Sequence, residues 1–344
     1  MPGQHKLMDT YLQTGQMSCH DAGGHRIDCP GSGQDAEFKR GLAWPVPRFE
    51  VLGDMVIDEL TGLVWTRDAN AAGFPLSWQE ALEFIATMNQ DHLFGAADWR
   101  LPNRRELRSL ISHQTREPAL PAGHPFVNLF TGWYWTSTTA AINTAYAWYV
   151  NMAGGRMFYG HKEQSCLLWP VRDKGESNVL ATGQSRCHDT RGQLISCAGS
   201  GQDGAFRSGR PWPEPRFEQT ANGVVDRLTN LCWQASADLT AGPVTWEEAL
   251  KAVSALNQQQ RSTSSWRLPN INELESVVDC SRHSPALPQG HPFTELRQEY
   301  WSATTSMFEP DWAWALYLTK GAIGVGQKSM AHFSVWAVCD FSPS

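Results

Sequence analysis

The first chemistry in the chain is sulfur chemistry. Its eight cysteines divide unevenly. Cys19 and Cys29 recur as Cys187 and Cys197, with the same spacing and the same neighbouring GSGQD turn. Two cysteines so close together, set beside a turn, predict a small local disulfide loop in each place. Such loops persist in oxidising compartments, so the expected location is extracytoplasmic: periplasmic, cell-surface or secreted. The N-terminus, MPGQHKLMDTYLQ, has no basic-then-apolar secretion signal, which keeps a cytoplasmic location as the alternative. Zinc is the competing use of these cysteines, because His20 and His188 adjoin them. Four ligands at metal-like spacing are not visible, however. Cys166, Cys232, Cys280 and Cys339 have no such counterparts. Cys232 reads as a buried thiol acting as a small hydrophobe.

Acid–base chemistry is thin. Glu80, Glu248, Glu106 and Glu273 each stand three residues after a Ser, Thr or Asn, where a helix-capping role accounts for them. His124 and His291 lie in GHPF turns, and Asp58 and Asp226 precede turns that explain them equally well. No nucleophile elbow, zinc-protease, phosphate-loop or dinucleotide motif occurs. The expectation is a protein with no catalytic residues, no metal and no cofactor. A net charge of −7 without basic clusters argues against nucleic acid. No apolar run is long enough for a membrane span. A monomer or weak oligomer is expected.

These residues belong to a long internal repeat. TGQMSCHD at Thr14 returns as TGQSRCHD at Thr182, and WPVPRFE at Trp44 returns as WPEPRFE at Trp212. DELTGLVW becomes DRLTNLCW, WRLPN at Trp99 reappears at Trp266, and PALPAGHPF at Pro118 becomes PALPQGHPF at Pro285. Between residues 14–50 and 182–218, 22 of 37 positions are identical, which chance does not produce. A unit this long is a whole domain rather than a solenoid repeat. The division is a tail (1–13), domain 1 (14–173), a linker (174–181) and domain 2 (182–344). In each copy capping boxes open two helices, at Ser77 and Asn103 and at Thr245 and Asn270. Short β-favouring runs between glycine turns follow from Tyr134 and Tyr300. The fold class is α+β.

The order D-x-x-T-G-L-x-W, W-x-E-A-L, D-W-R-L-P-N-x-x-E-L, Y-W-[TS]-[SA]-T-T and W-P-V-R resembles the DUF1566 family. That is the domain at the C-terminus of the Legionella collagen-like adhesin. The likeness covers residues 49–173 and 217–340; copy 2 departs from it at Asn230, Cys232, Ala337 and Cys339. It implies a C-type lectin-like fold, related to formylglycine-generating enzymes: two helices flanking a small, twisted, mostly antiparallel sheet with long loops. The catalytic cysteine pair of those enzymes is not matched, since copy 1 offers only Cys166 there and copy 2 only Cys339. Glu309-Pro310-Asp311 is similar to the Glu-Pro-Asn sugar-binding triplet of calcium-dependent lectins. The companion Trp-Asn-Asp is missing, so calcium-mediated sugar binding is not expected.

Comparing the copies separates framework from candidate surface. Fourteen of the 16 tryptophans form matched pairs, which suggests packing; Trp133 and Trp312 are unmatched and are the better surface candidates. Beyond Tyr134 and Tyr300 little but a scaffold is shared. The expected ligand-binding face is therefore the C-terminal strand surface of domain 2: Ser306, Met307, Phe308, Glu309, Asp311, Trp312, Tyr317, Ile323, Val325, Gln327, Met330 and His332. The expected partner is a glycan or a protein. By resemblance to targets of diversity-generating retroelements, this face would also be the diversified one. A structural spacer in an envelope or extracellular assembly is the alternative function.

Overall fold

The computed structural model describes residues 10–259 and 265–341; positions 1–9 of the N-terminal tail lie outside the described residues. Each copy begins with a hairpin arm. In copy 1 it comprises β1 (Cys19–His20), β2 (Arg26–Ile27) and the short α1 (Asp35–Phe38). The Asp21 carboxylate accepts from the backbone N–H groups of Gly23 and His25, which closes the turn locally. The Cys19–Cys29 disulfide staples it. Then come β3 (Phe49–Leu52), β4 (Met55–Asp58), β5 (Leu63–Thr66), α2 (Trp78–Gln90) and α3 (Arg104–Ser109). β6 (Trp133–Thr139), β7 (Tyr146–Asn151), β8 (Met157–His161) and β9 (Val171–Asp173) complete the copy.

Copy 2 repeats this order. It has β10 (Cys187–His188), β11 (Leu194–Ile195), α4 (Asp203–Phe206), β12 (Phe217–Thr220), β13 (Gly223–Asp226) and β14 (Leu231–Trp233). α5 (Trp246–Gln259), α6 (Ile271–Ser276), β15 (Glu299–Thr305), β16 (Trp312–Tyr317), β17 (Ala322–Gln327) and β18 (Val338–Asp340) follow. The Cys187–Cys197 disulfide staples the second hairpin. The chain is thus α+β in two repeated units. Where one small sheet per copy was expected, each has two antiparallel sheets, of four and three strands, beside its hairpin. They stay separate because only isolated bridges, such as Tyr134 with Leu167, link the three-stranded sheet to the closing segment.

The capping expectations hold. The Ser77 and Asn103 side chains accept from N3 backbone amides while Glu80 and Glu106 return the bond, as do Asn270 and Glu273. Thr245 and Glu248 make the same exchange. Six of the seven matched tryptophan pairs are no more than 3% exposed, so the shared indoles are core. Trp44 and Trp212 are half-buried, their indole N–H groups donating to Gln13 and Ala181 carbonyls.

The arms cross. Asp35 of arm 1 accepts from Thr14 of its own arm and from Thr304 of copy 2, both at 2.7 Å. Asp203 of arm 2 accepts from Thr182 of its own arm and from Thr138 of copy 1. Gln16 donates to the Thr305 carbonyl at 2.8 Å and accepts from the Thr305 N–H at 3.0 Å; Gln184 does the same with Thr139. The Lys328 ammonium donates to the His20 and Asp21 carbonyls and lies 4.1 Å from the Trp246 ring centroid. Lys162 repeats this with His188, Asp189 and Trp78. Each arm is therefore hydrogen-bonded onto the other copy. Near the limits of the described residues, Thr10 also reaches copy 2, while Phe341 bonds within its own copy. Thr10 donates to the Leu228 carbonyl, and the Phe341 N–H donates to the Asn230 carbonyl, two residues away in the same turn.

One apolar cluster runs through both copies, taking Leu107, Leu110 and Ile111 from one side and Leu274, Val277 and Val278 from the other. Outer clusters around Trp246 and Trp78 belong to single copies.

Candidate functional site

Of the twelve residues expected to face a ligand, two are buried, seven are half-buried and three are exposed. Ile323 is fully buried in the shared core and Ser306 is 1% exposed, which removes both from any binding face. Strand alternation places Ile323 opposite Leu316 on the inward side of the β16–β17 pair, a choice the sequence pattern did not resolve. Met307 is half-buried, with the Ser18 hydroxyl 3.8 Å from its sulfur. Phe308 lies against Gly154, its carbonyl accepting from Arg116 at 3.2 Å. Glu309 pairs with Arg156 at 2.6 Å. Asp311 meets the arm 1 hairpin at Gly24. Residues 307–311 are thus largely a junction between copies. The corresponding loop of copy 1 meets arm 2, where Thr144 donates to the Gly192 carbonyl. Contacts across a junction of two unlike copies need not match, and that accounts for much of the divergence between these loops.

The other residues of that face separate more gently. Trp312 is half-buried and pairs with Gln327 in register. Tyr317 donates to the Val325 carbonyl at 3.0 Å, and both side chains pack against the shared core. Only Gln327, Met330 and His332 are exposed.

Sequence reasoning missed the charged part of this junction. Arg104, Arg105 and Arg108 of α3 are all buried, and the matched positions of α6 are Ile271, Asn272 and Glu275. Arg108 bonds Glu275 at 2.7 Å, with Arg104 beside it at 3.5 Å. Burial alone would raise the Glu275 carboxyl, but Arg108 and Arg104 outweigh it and hold the group below its usual range. Arg105 donates to the Glu275, Ser276 and Val278 carbonyls, capping the α6 C-terminus. The signal was available as a charge reversal between matched helix positions.

The open aromatic surface lies on copy 1. Trp133, at the start of β6, is 38% exposed, and Phe158 on β8 is 52% exposed. Tyr149 of β7 stands between them, with ring centroids 4.7 Å from Trp133 and 6.4 Å from Phe158. Tyr159 stacks on Phe158 at 5.2 Å with 9° between planes. Antiparallel register brings these residues together, since Tyr149 is opposite Trp135 on one side and Phe158 on the other. Buried Trp135, 5.4 Å away, backs Tyr149. Gly160 makes room for the Tyr149 ring, since a Cβ there would come within 2.7 Å of it. Copy 2 carries Glu299, Ala315 and Gly324 at the equivalent strand positions, and Phe333 fills the space over Trp301 instead, at 4.3 Å. The same scaffold therefore presents three aromatic rings on one copy and none of them on the other.

Two clefts flank the crossed arms. One of about 430 Å³ separates arm 1 from α5 and is lined by Phe38, Trp246, Leu250, Val253 and Leu268. Its counterpart of about 230 Å³ is lined by Leu82, Ile85, Trp99 and Phe206. Among the described residues no three His, Cys, Asp or Glu side chains are grouped as a metal site would require. Nor is any helix long and apolar enough to cross a membrane. The two disulfides fit an extracytoplasmic setting.

No curated protein matches the chain. The Lcl C-terminal domain family matches residues 54–172 and again 222–339, in each case starting after the arm and ending within the closing strand. The motif order and the repeated fold agree with that match, and the chain belongs to the Lcl C-terminal domain family, carrying its domain twice.

Proposed function

We propose that this protein is a non-catalytic recognition module of the adhesin type, acting outside the cytoplasm on a C-type lectin-like scaffold. Its ligand is a neutral glycan, held on the Trp133–Tyr149–Phe158 surface of copy 1. The observation that carries this reading is the exposure of Trp133 and Phe158 around Tyr149, on a sheet whose other copy lacks all three rings. Exposed aromatics are stabilised only partly by their own fold, and a flat ring offers a pyranose both apolar area and a polarisable face. The acidic balance of the chain disfavours sulfated or phosphorylated sugars. Family membership and the two disulfides support an extracellular role.

Diversification of the C-terminal strand surface of domain 2 by a retroelement is not proposed, since Ile323 and Phe333 on that surface are buried. Ser306 is buried, and Phe308 and Glu309 hold the junction with copy 1.

The test is a neutral-glycan array followed by titration of a hit while tryptophan fluorescence is recorded. Trp133→Ala and Phe158→Ala are each expected to weaken binding at least tenfold, about 1.4 kcal/mol. Stability should change by no more than about 0.5 kcal/mol, as at other surface positions. Unchanged affinity in both variants, with Met330→Ala or His332→Ala abolishing it, would return the site to copy 2.

A further inference from the structure

We propose that Cys232 and Cys339 form a third disulfide, which closes the terminal strand β18 onto β14 in copy 2. The two residues are direct register partners on antiparallel strands. Opposite Cα atoms at such a rung fall about 4.5–5.5 Å apart, inside the span a disulfide bridges. Copy 1 has the same rung, and there the partners are Val64 and Arg172. Copy 2 thus carries cysteine on both sides of a rung where copy 1 has cysteine on neither.

The sulfur chemistry agrees with the placement. A hydrogen bond from Cys339 holds the Cys232 thiol below its usual range, and the same bond pushes Cys339 up. The two sulfurs thus lie within hydrogen-bonding reach of each other, the approach that exchange between them needs. Cys166 and Cys280 behave differently, burial pushing them up to about 12 and about 11. The two hairpin disulfides fit maturation where cysteines are oxidised.

The oxidant is a disulfide donor: a thiol–disulfide oxidoreductase or glutathione disulfide. The Cys232 thiolate attacks one donor sulfur, forming a mixed disulfide and releasing the first donor thiolate. Cys339 then loses its proton and attacks the Cys232 sulfur, expelling the second donor thiol. Two electrons and two protons pass from the cysteine pair to the donor. Both residues are buried in the finished fold, so the exchange belongs to the docking of β18, the outermost strand of its sheet. The consequence reaches copy 1. Asp340, next to Cys339, pairs with Arg267 and with Arg40 of arm 1, each at 2.8 Å. Fixing β18 fixes the strand that receives this arm.

Thiol counting decides it. The full chain is reduced in denaturant, refolded with glutathione disulfide present, then denatured again, alkylated without reductant, and read by intact mass and peptide mapping. The expected result is alkylation of Cys166 and Cys280 alone, with Cys232 and Cys339 recovered in one linked peptide. Cys232→Val, which installs the copy 1 residue, should add Cys339 to the alkylated set. Alkylation of all four cysteines in the wild-type chain overturns the proposal, as does linkage of Cys232 or Cys339 to any other cysteine. The wild-type count stands whether or not the variant folds.

Discussion

Asp35 and Asp203 are carboxylates shut away from water, each receiving two threonine hydroxyls, one from either copy. Burial raises both from an ordinary value of 3.8 to about 6, and the hydroxyl bonds recover only part of that shift. Oδ1 of Asp203 has no hydrogen-bond partner, which leaves room for a proton. A carboxyl whose folded value is raised stabilises the fold fully below its unfolded value. That contribution is lost as pH rises through about 6. Asp35→Asn keeps the acceptor and removes the titration. It should therefore be more stable than wild type at pH 7, on the order of 1–3 kcal/mol, and should gain less on acidification towards pH 4.5. Urea midpoints at the two pH values check this; a variant equally or less stable at pH 7 would mean that the ionised carboxylate is a net asset.

At the scale of elements, Gln16 acts for arm 1 as a strand would, donating to and accepting from the Thr305 backbone and also reaching the His113 carbonyl at 3.1 Å. Gln16→Ala leaves the buried Thr305 N–H without its acceptor, a loss of about 1–3 kcal/mol. Limited proteolysis should then cut the arm near Arg26 markedly faster than in wild type; an unchanged rate would show that the disulfide-stapled hairpin docks without this bond. The helices were legible because capping is local: Ser77, Asn103, Thr245 and Asn270 each carry their partner three residues on. The hairpin disulfides were legible for the same reason. The crossing of the arms was not, because the partner residues are the same in both copies. Thr138 matches Thr304, Thr139 matches Thr305, and Lys162 matches Lys328. Self-similarity makes an arm's own copy and the other copy equally good on paper. The aromatic surface is half legible, since Trp133 stands out by lacking a tryptophan counterpart at Glu299 while Tyr149 and Phe158 do not stand out. Ile323 was misplaced because a short apolar strand does not declare which side is wet.

For the whole molecule, the connection at residues 174–178 is less important than its position suggests. Arms, shared core and the Arg108–Glu275 contact all hold the halves together without it. A protease site inserted at Gly175, where the surroundings are open, should give two fragments after cleavage. They should co-elute as one species in native size-exclusion and separate only in denaturant. Two peaks without denaturant would show the halves to be independent beads.

Thr10 and Phe341 both fasten to the turn at Leu228–Asn230. A pull applied between those two residues bears first on that single turn. The Thr10 bond is itself a contact between the halves, so tension would test that edge of the junction first, at a place that shares no residue with the aromatic surface of copy 1.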